Sequence, residues 1–129
     1  GVRLPGRCRP MRSDADRIGD ILEAITKIKE RIPREDEAFL RDEMIQVWVI
    51  HHLQVIGEAA RGVSQATRAR YPEVPWGEIV ALRNILVHEY FGLNLQQLWN
   101  MARKDLIELE IQMRRIHPEI GGGPDGVGG

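Results

Sequence analysis

The sequence predicts an all-α protein, an antiparallel helical bundle of four longer helices plus one short helix. Three observations predict it. Apolar residues recur at helical spacing in long blocks. No stretch alternates apolar and polar residues over the length of a strand. Prolines fall between the blocks or at their ends rather than within them.

Residues 1–12, GVRLPGRCRPMR, show neither period and read as a disordered N-terminal tail. Met11 is a candidate natural start within it. Ser13 and Asp14 are helix-start residues. Ile18, Ile21, Leu22, Ile25, Ile28 and Ile32 then form one apolar stripe, and Pro33 ends that helix. Glu35, Asp36 and Glu37 favour a helix first turn. From Phe39 to about Gly62 the chain is apolar nearly all round, which predicts a helix buried on several faces or one carrying a subunit interface. His51 and His52 sit within it and read as core or groove histidines bonded to a carbonyl.

Gly62 closes this helix, and Ser64 caps a short one through Tyr71 in which Arg61, Arg68 and Arg70 cluster. Pro75 fits the first position of a Trp76–Tyr90 helix, which Gly92 stops. Asn94 with Gln97 makes a capping-box variant. The last helix has the most regular pattern: Leu95, Trp99, Ala102, Leu106, Leu109, Met113 and Ile116 form an a/d seam. Arg103, Lys104, Glu108, Glu110, Arg114 and Arg115 read as its solvated face, and Pro118 as its end. The organisation is therefore a bundle domain over 13–118 and a flexible Gly-rich tail over 119–129.

Composition narrows the functions. The chain has 129 residues, enough for one core, and a formal net charge of −1. No global basic field exists to drive non-specific nucleic-acid binding, so any such role rests on a local patch. Cys8 is the single cysteine, which excludes an internal disulfide and a Cys-rich zinc site. No run of about 18 apolar residues is present to span a membrane, no apolar signal core opens the chain, and a cytoplasmic location is expected. Neither His51 nor His52 has a histidine or carboxylate at i+3 or i+4, and no Glu-x-x-His occurs, so no metal site is expected.

The chemistry concentrates in Arg83-Asn84-Ile85-Leu86-Val87-His88-Glu89-Tyr90. Arg83 interrupts the apolar series Trp76, Ile79, Val80, Leu86, Val87. An arginine there costs several kcal/mol unless it is paired or faces a cleft. Arginine holds a phosphate oxygen bidentately, and histidine exchanges a proton near neutral pH. The pair fits phosphodiester chemistry better than peptide hydrolysis. On an ideal helix Arg83 and His88 lie about 140° apart, whereas Asn84 and His88 share a face. The two meet on one phosphate only if the helix unwinds near His88 or if the site is completed across a two-fold axis.

Arg83-Asn84-x-x-x-His88-x-Tyr90 resembles the Arg-x(4–6)-His signature of the HEPN superfamily, most closely its HepT-like toxin branch. The flanks agree: Ile56-Gly57-Glu58-Ala59 upstream, Pro75-Trp76 opening the helix, and Tyr90-Phe91-Gly92 leading to Leu98-Trp99. The similarity covers about residues 14–117. It implies a homodimer and metal-independent RNA cleavage without a cofactor. It also implies the toxin role in a type VII-like toxin–antitoxin pair, silenced by an MNT-type nucleotidyltransferase antitoxin that transfers AMP to a tyrosine. Carried onto this sequence, Arg83 and His88 are the catalytic pair, Asn84 supports them, and Tyr90 is the AMP acceptor. The competing expectation is a non-catalytic helical subunit of a nucleotidyltransferase, with Arg83 and His88 lining a nucleotide pocket. A plain dimeric scaffold is the third.

Overall fold

The computed structural model describes residues 12–88 and 94–121, with no strand among them. Most of both tails, with Cys8 and Met11, lies outside the described residues, as do Glu89, Tyr90 and Gly92.

Helix α1 spans Asp14–Arg31. Ser13 accepts from the Asp16 backbone N–H, and the Asp16 carboxylate accepts from the Ser13 N–H, so two otherwise unpaired donors are satisfied. Ile18, Ile21, Ala24, Ile25 and Ile28 are buried. The helix stops because Pro33 drives the preceding Ile32 into extended backbone at ψ 139°.

The single helix expected from Phe39 to Gly62 is two. Helix α2 spans Asp36–Arg41 and α3 spans Glu43–Arg61. Between them Asp42 takes extended backbone, and its carboxylate accepts from the Ile45 N–H. A strong N-cap inside an apolar run restarts the helix at a new angle. Phe39 is fully buried against Trp99, with ring centroids 5.0 Å apart, and Gln46 Nε2 donates to the Phe39 carbonyl across the break.

Helix α3 is the central element, packed on α1, on α2 and on helix α5 (Trp76–His88). Val49, Leu53, Ile56 and Ala60 fill its inner faces. Its outer stripe leaves Met44 and Val47 exposed. His52 is buried and its Nδ1 lies 2.9 Å from the Trp48 carbonyl oxygen, the bonding expected for a core histidine, whereas His51 is exposed.

Helix α4 spans Gln65–Arg70, capped by Ser64. The Asp14 carboxylate reaches across to it, accepting from the Ser64 N–H, the Ser64 hydroxyl and the Thr67 hydroxyl. Burial works to raise the Asp14 pKa, but these hydrogen bonds and the Arg17 charge outweigh it and hold the carboxyl below its ordinary value. Arg68 donates to the carbonyls of Ala60, Arg61 and Val63 and so closes the C-terminus of α3. The arginine cluster of this region is thus partly structural.

The last rod comprises α6 (Leu95–Asn100), a π turn (Met101–Asp105) and α7 (Leu106–Gly121). Asn94 caps it, accepting from the Gln96 and Gln97 N–H groups. The predicted seam is inward: Trp99, Ala102, Leu106, Leu109, Met113 and Ile116 are all buried. Two expectations fail here. Pro118 does not end the helix, which continues to Gly121. Its ring removes one N–H, but neighbouring contacts hold this last turn: the Tyr71 hydroxyl donates to Glu119 at 2.6 Å, and His117 Nε2 lies 3.2 Å from the Ala15 carbonyl oxygen. Glu110, assigned to the solvated face, is buried because α1 crosses above it and brings Lys29 to 2.9 Å.

The Lys29 and Arg114 side chains hold the Glu110 carboxyl below the ordinary carboxylate value. A depressed folded pKa adds stability above the unfolded value of about 4.3 and loses it as pH falls through the folded one. Glu110→Gln is therefore expected to cost about 1–2 kcal/mol at pH 7. The gap to the wild type should close below about pH 4. Urea unfolding at the two pH values checks this.

Candidate functional site

Helix α5 carries the motif, and the residues before it set its position. Trp76 is buried and its indole N–H donates to the Tyr71 carbonyl at 3.0 Å. The Ile79 N–H bonds to Pro75 O at 3.0 Å, so the first turn forms on the proline. From there the backbone is helical without interruption through Arg83, Asn84 and His88. The side chains of Arg83 and His88, and the whole of Tyr90, lie outside the described residues. Asn84 is exposed.

The backbone bears on one question of geometry. On it, positions 83 and 88 are about 140° apart around the axis. The alternative in which the helix opens before His88 is not what the backbone does.

The outward face of α5 is open at its N-terminal end. Gly77 has nothing within 4 Å of the place a Cβ would occupy. Positions 77, 81, 84 and 88 follow one another at spacing 4-3-4, the spacing of a helix–helix seam. Gly77 and Asn84 on this seam are exposed and Ala81 is half-buried. Such small residues let a second helix approach closely.

The other described histidines and the other tyrosine have structural partners. His52 and His117 lie against backbone carbonyls, and His51 packs edge-on against His52. Tyr71 is buried, and burial together with its bond to Glu119 pushes its hydroxyl pKa above the ordinary value. Among the described residues no group of three or more His, Cys, Asp or Glu is placed to hold a metal. No helix among them is long and apolar enough to cross a membrane.

Sequence reasoning missed one feature, a groove of about 410 Å³ between α5 and the last rod. Ile79, Leu82, Met101, Leu106 and Leu109 form its apolar floor, and Glu73, Glu78, Asp105 and Glu108 stand around it. The seam of the last rod marked the floor in advance. Nothing in the pattern marked the π turn, whose first and last residues, Met101 and Asp105, both line the groove.

Comparison with known proteins agrees with the family resemblance. The family profile "Ribonuclease HepT-like" matches residues 21–116. "Putative RNase MJ1380" of Methanocaldococcus jannaschii is 39% identical over 98 residues, covering 75% of this chain and 90% of that protein. "Probable ribonuclease HepT" of Thermococcus cleftensis is 36% identical over 107 residues, covering 81% of this chain and 96% of that one. "Putative RNase TTE0752" of Caldanaerobacter subterraneus subsp. tengcongensis is 36% identical over 80 residues, covering 62% of this chain and 71% of that protein. No solved structure matches. With a profile match over most of the bundle and relatives aligned along nearly their whole length, the chain belongs to the HepT-like ribonuclease family.

Proposed function

We propose that this HepT-like ribonuclease is a metal-independent RNA endonuclease whose site is completed by two copies of the chain. Arg83 binds the scissile phosphate and stabilises the phosphorane, His88 moves the proton, and Asn84 supports His88 from the same helical face. The observation that carries the reading is the unbroken α5 backbone, which keeps positions 83 and 88 on different sides of one helix. A single motif is then poorly placed to close on one phosphate, and two motifs related by a two-fold axis are better placed. The reaction has the same demand. Attack of a 2′-oxygen needs a base for that hydroxyl and an acid for the leaving 5′-oxygen, and each transfer contributes roughly 10²–10⁴-fold. Two copies supply two motif histidines and two guanidinium groups. The exposed Gly77 and Asn84 support α5 as the contact between copies.

The chain acts as the toxin of a type VII-like toxin–antitoxin pair. A neighbouring MNT-type nucleotidyltransferase silences it by AMP transfer to Tyr90. Of the two tyrosines, Tyr71 is buried and bonded to Glu119, which supports Tyr90 as the acceptor. A phosphoester two residues from His88 sets negative charge where the RNA phosphate would sit.

The test is RNA cleavage with EDTA present, comparing the wild type with the Arg83→Ala/His88→Ala double variant. Cleavage by the wild type alone supports the reading, and equal activity removes it. Intact mass after co-expression with the adjacent nucleotidyltransferase gene tests Tyr90, and an AMP-free protein that is nevertheless inhibited would overturn the modification.

A further inference from the structure

The groove between α5 and the last rod is not used by this mechanism. Its floor is apolar, and its rim carries Glu73, Glu78, Asp105 and Glu108. Glu73 is paired with Arg115. Glu78, Asp105 and Glu108 are exposed and have no ion pair among the described residues. A second hollow, of about 620 Å³, continues the surface past Glu108 to Ile107 and Ile111, with Lys104 and the Glu73-paired Arg115 also lining it. Those two isoleucines are 53% and 64% exposed, one helical turn apart. An apolar strip left in water beside three unpaired carboxylates is a binding surface by its composition.

The charge selects the occupant. With Glu73 and Arg115 paired, the surface keeps three carboxylates against one ammonium, Lys104, without an ion pair among the described residues. That net negative charge repels RNA phosphates and a second copy of the same face. The π turn that shapes one wall is a local departure of the kind that gathers at functional sites. Met101, beside it, is a side chain that adapts to varied apolar partners.

We propose that this groove docks a basic amphipathic helix of a partner protein. Its apolar side chains lie on Ile79, Leu82 and Leu109 and reach Ile107 and Ile111, while its lysines or arginines meet Glu78, Asp105 and Glu108. This is the helix-in-groove mode, read by anchors at i, i+3 or i+4 and i+7. The groove residues Glu78 and Leu82 lie on a different side of α5 from Gly77 and Asn84.

The probe is a fluorescent Leu/Lys peptide of about 14 residues with apolar residues at helical period. Its anisotropy is followed on adding the full chain. A Leu/Glu peptide of the same pattern is the control. Binding of the Leu/Lys peptide alone is expected, weakened at least tenfold in Glu78→Lys/Glu108→Lys and in Ile107→Glu. The same charge change placed on α1, Glu23→Lys/Glu30→Lys, is expected to alter it less than twofold. No binding, equal binding of both peptides, or equal weakening in both double variants overturns the proposal. Displacement by spermidine at equal concentration points to a small polyamine instead and overturns it too. So does a change of sedimenting mass confined to the groove variant, which marks a second copy there. RNA cleavage by the groove variant is expected to stay at the wild-type level, so failure here and failure of the ribonuclease reading are distinguishable.

Discussion

His88→Ala is expected to lower RNA cleavage by about 10²–10⁴-fold, the contribution of one positioned proton transfer. Arg83→Ala is expected to lose about 10²–10³-fold, the usual loss when one donor to a developing oxyanion is removed. Mixing the two variants is the more decisive measurement. A site built from both motifs keeps one histidine and one arginine in a mixed dimer, whereas the His88→Ala homodimer keeps no motif histidine and the Arg83→Ala homodimer no motif arginine. Unfolding the two variants together and refolding them should then give cleavage above that of either variant alone, though below the wild type. If a single chain supplies both groups, every site in the mixture is damaged and nothing returns. Cleavage is followed on a labelled RNA with EDTA present, and helicity by circular dichroism confirms that α5 still forms in each variant.

Phe39→Ala is expected to destabilise the fold by about 3–5 kcal/mol. Phe39 is the anchor of α2, a six-residue helix too short to persist alone. It has no exposed surface and lies tilted against Trp99, which is itself 2% exposed. Its loss removes an aromatic pair and opens a cavity between α2 and α6 that neither short helix can collapse into without breaking its caps. For a domain of this size the thermal midpoint should fall by roughly 10–20 °C. Phe39→Leu, which keeps most of the volume, should recover more than half of the loss. A midpoint within about 3 °C of the wild type for the alanine variant would mean that α2 contributes little to the cooperative unit.

How far the sequence could be read depended on which interactions are local. The α1 stripe, its stop before Pro33, the Ser13, Ser64 and Asn94 caps and the buried seam of the last rod were all legible. Each depends on residues within a turn or two of one another. The break at Asp42 was missed because apolar content masks a cap: Phe39, Leu40, Met44 and Ile45 read as one run, although Asp42 stands three residues before Ile45. The fate of Glu110 could not be read at all. Its surroundings come from Lys29, on a helix 81 positions earlier. Pro118 was misjudged for the same reason, since contacts from Tyr71 and Ala15 hold the turn that contains it.

Arginine and histidine at that spacing are common by chance, and the motif read as candidate chemistry because its flanks resemble the family. Its geometry was legible only as a choice between two arrangements, and the described backbone is helical as far as His88. The groove was not legible because it lies between elements distant in the chain and is shaped by a π turn that no residue pattern announced.

Asp14 opens the first long helix, yet its carboxylate is satisfied by Ser64 and Thr67, about fifty positions on. A six-residue segment such as Gln65–Arg70 would fray in isolation. Bound in this way, it takes its lifetime from the hairpin of α1 and α3 that brings the two ends together. Slow exchange of the Ser64 amide with solvent deuterium would therefore report the opening of that whole hairpin, and not the local fluctuation of the short turn in which the amide resides.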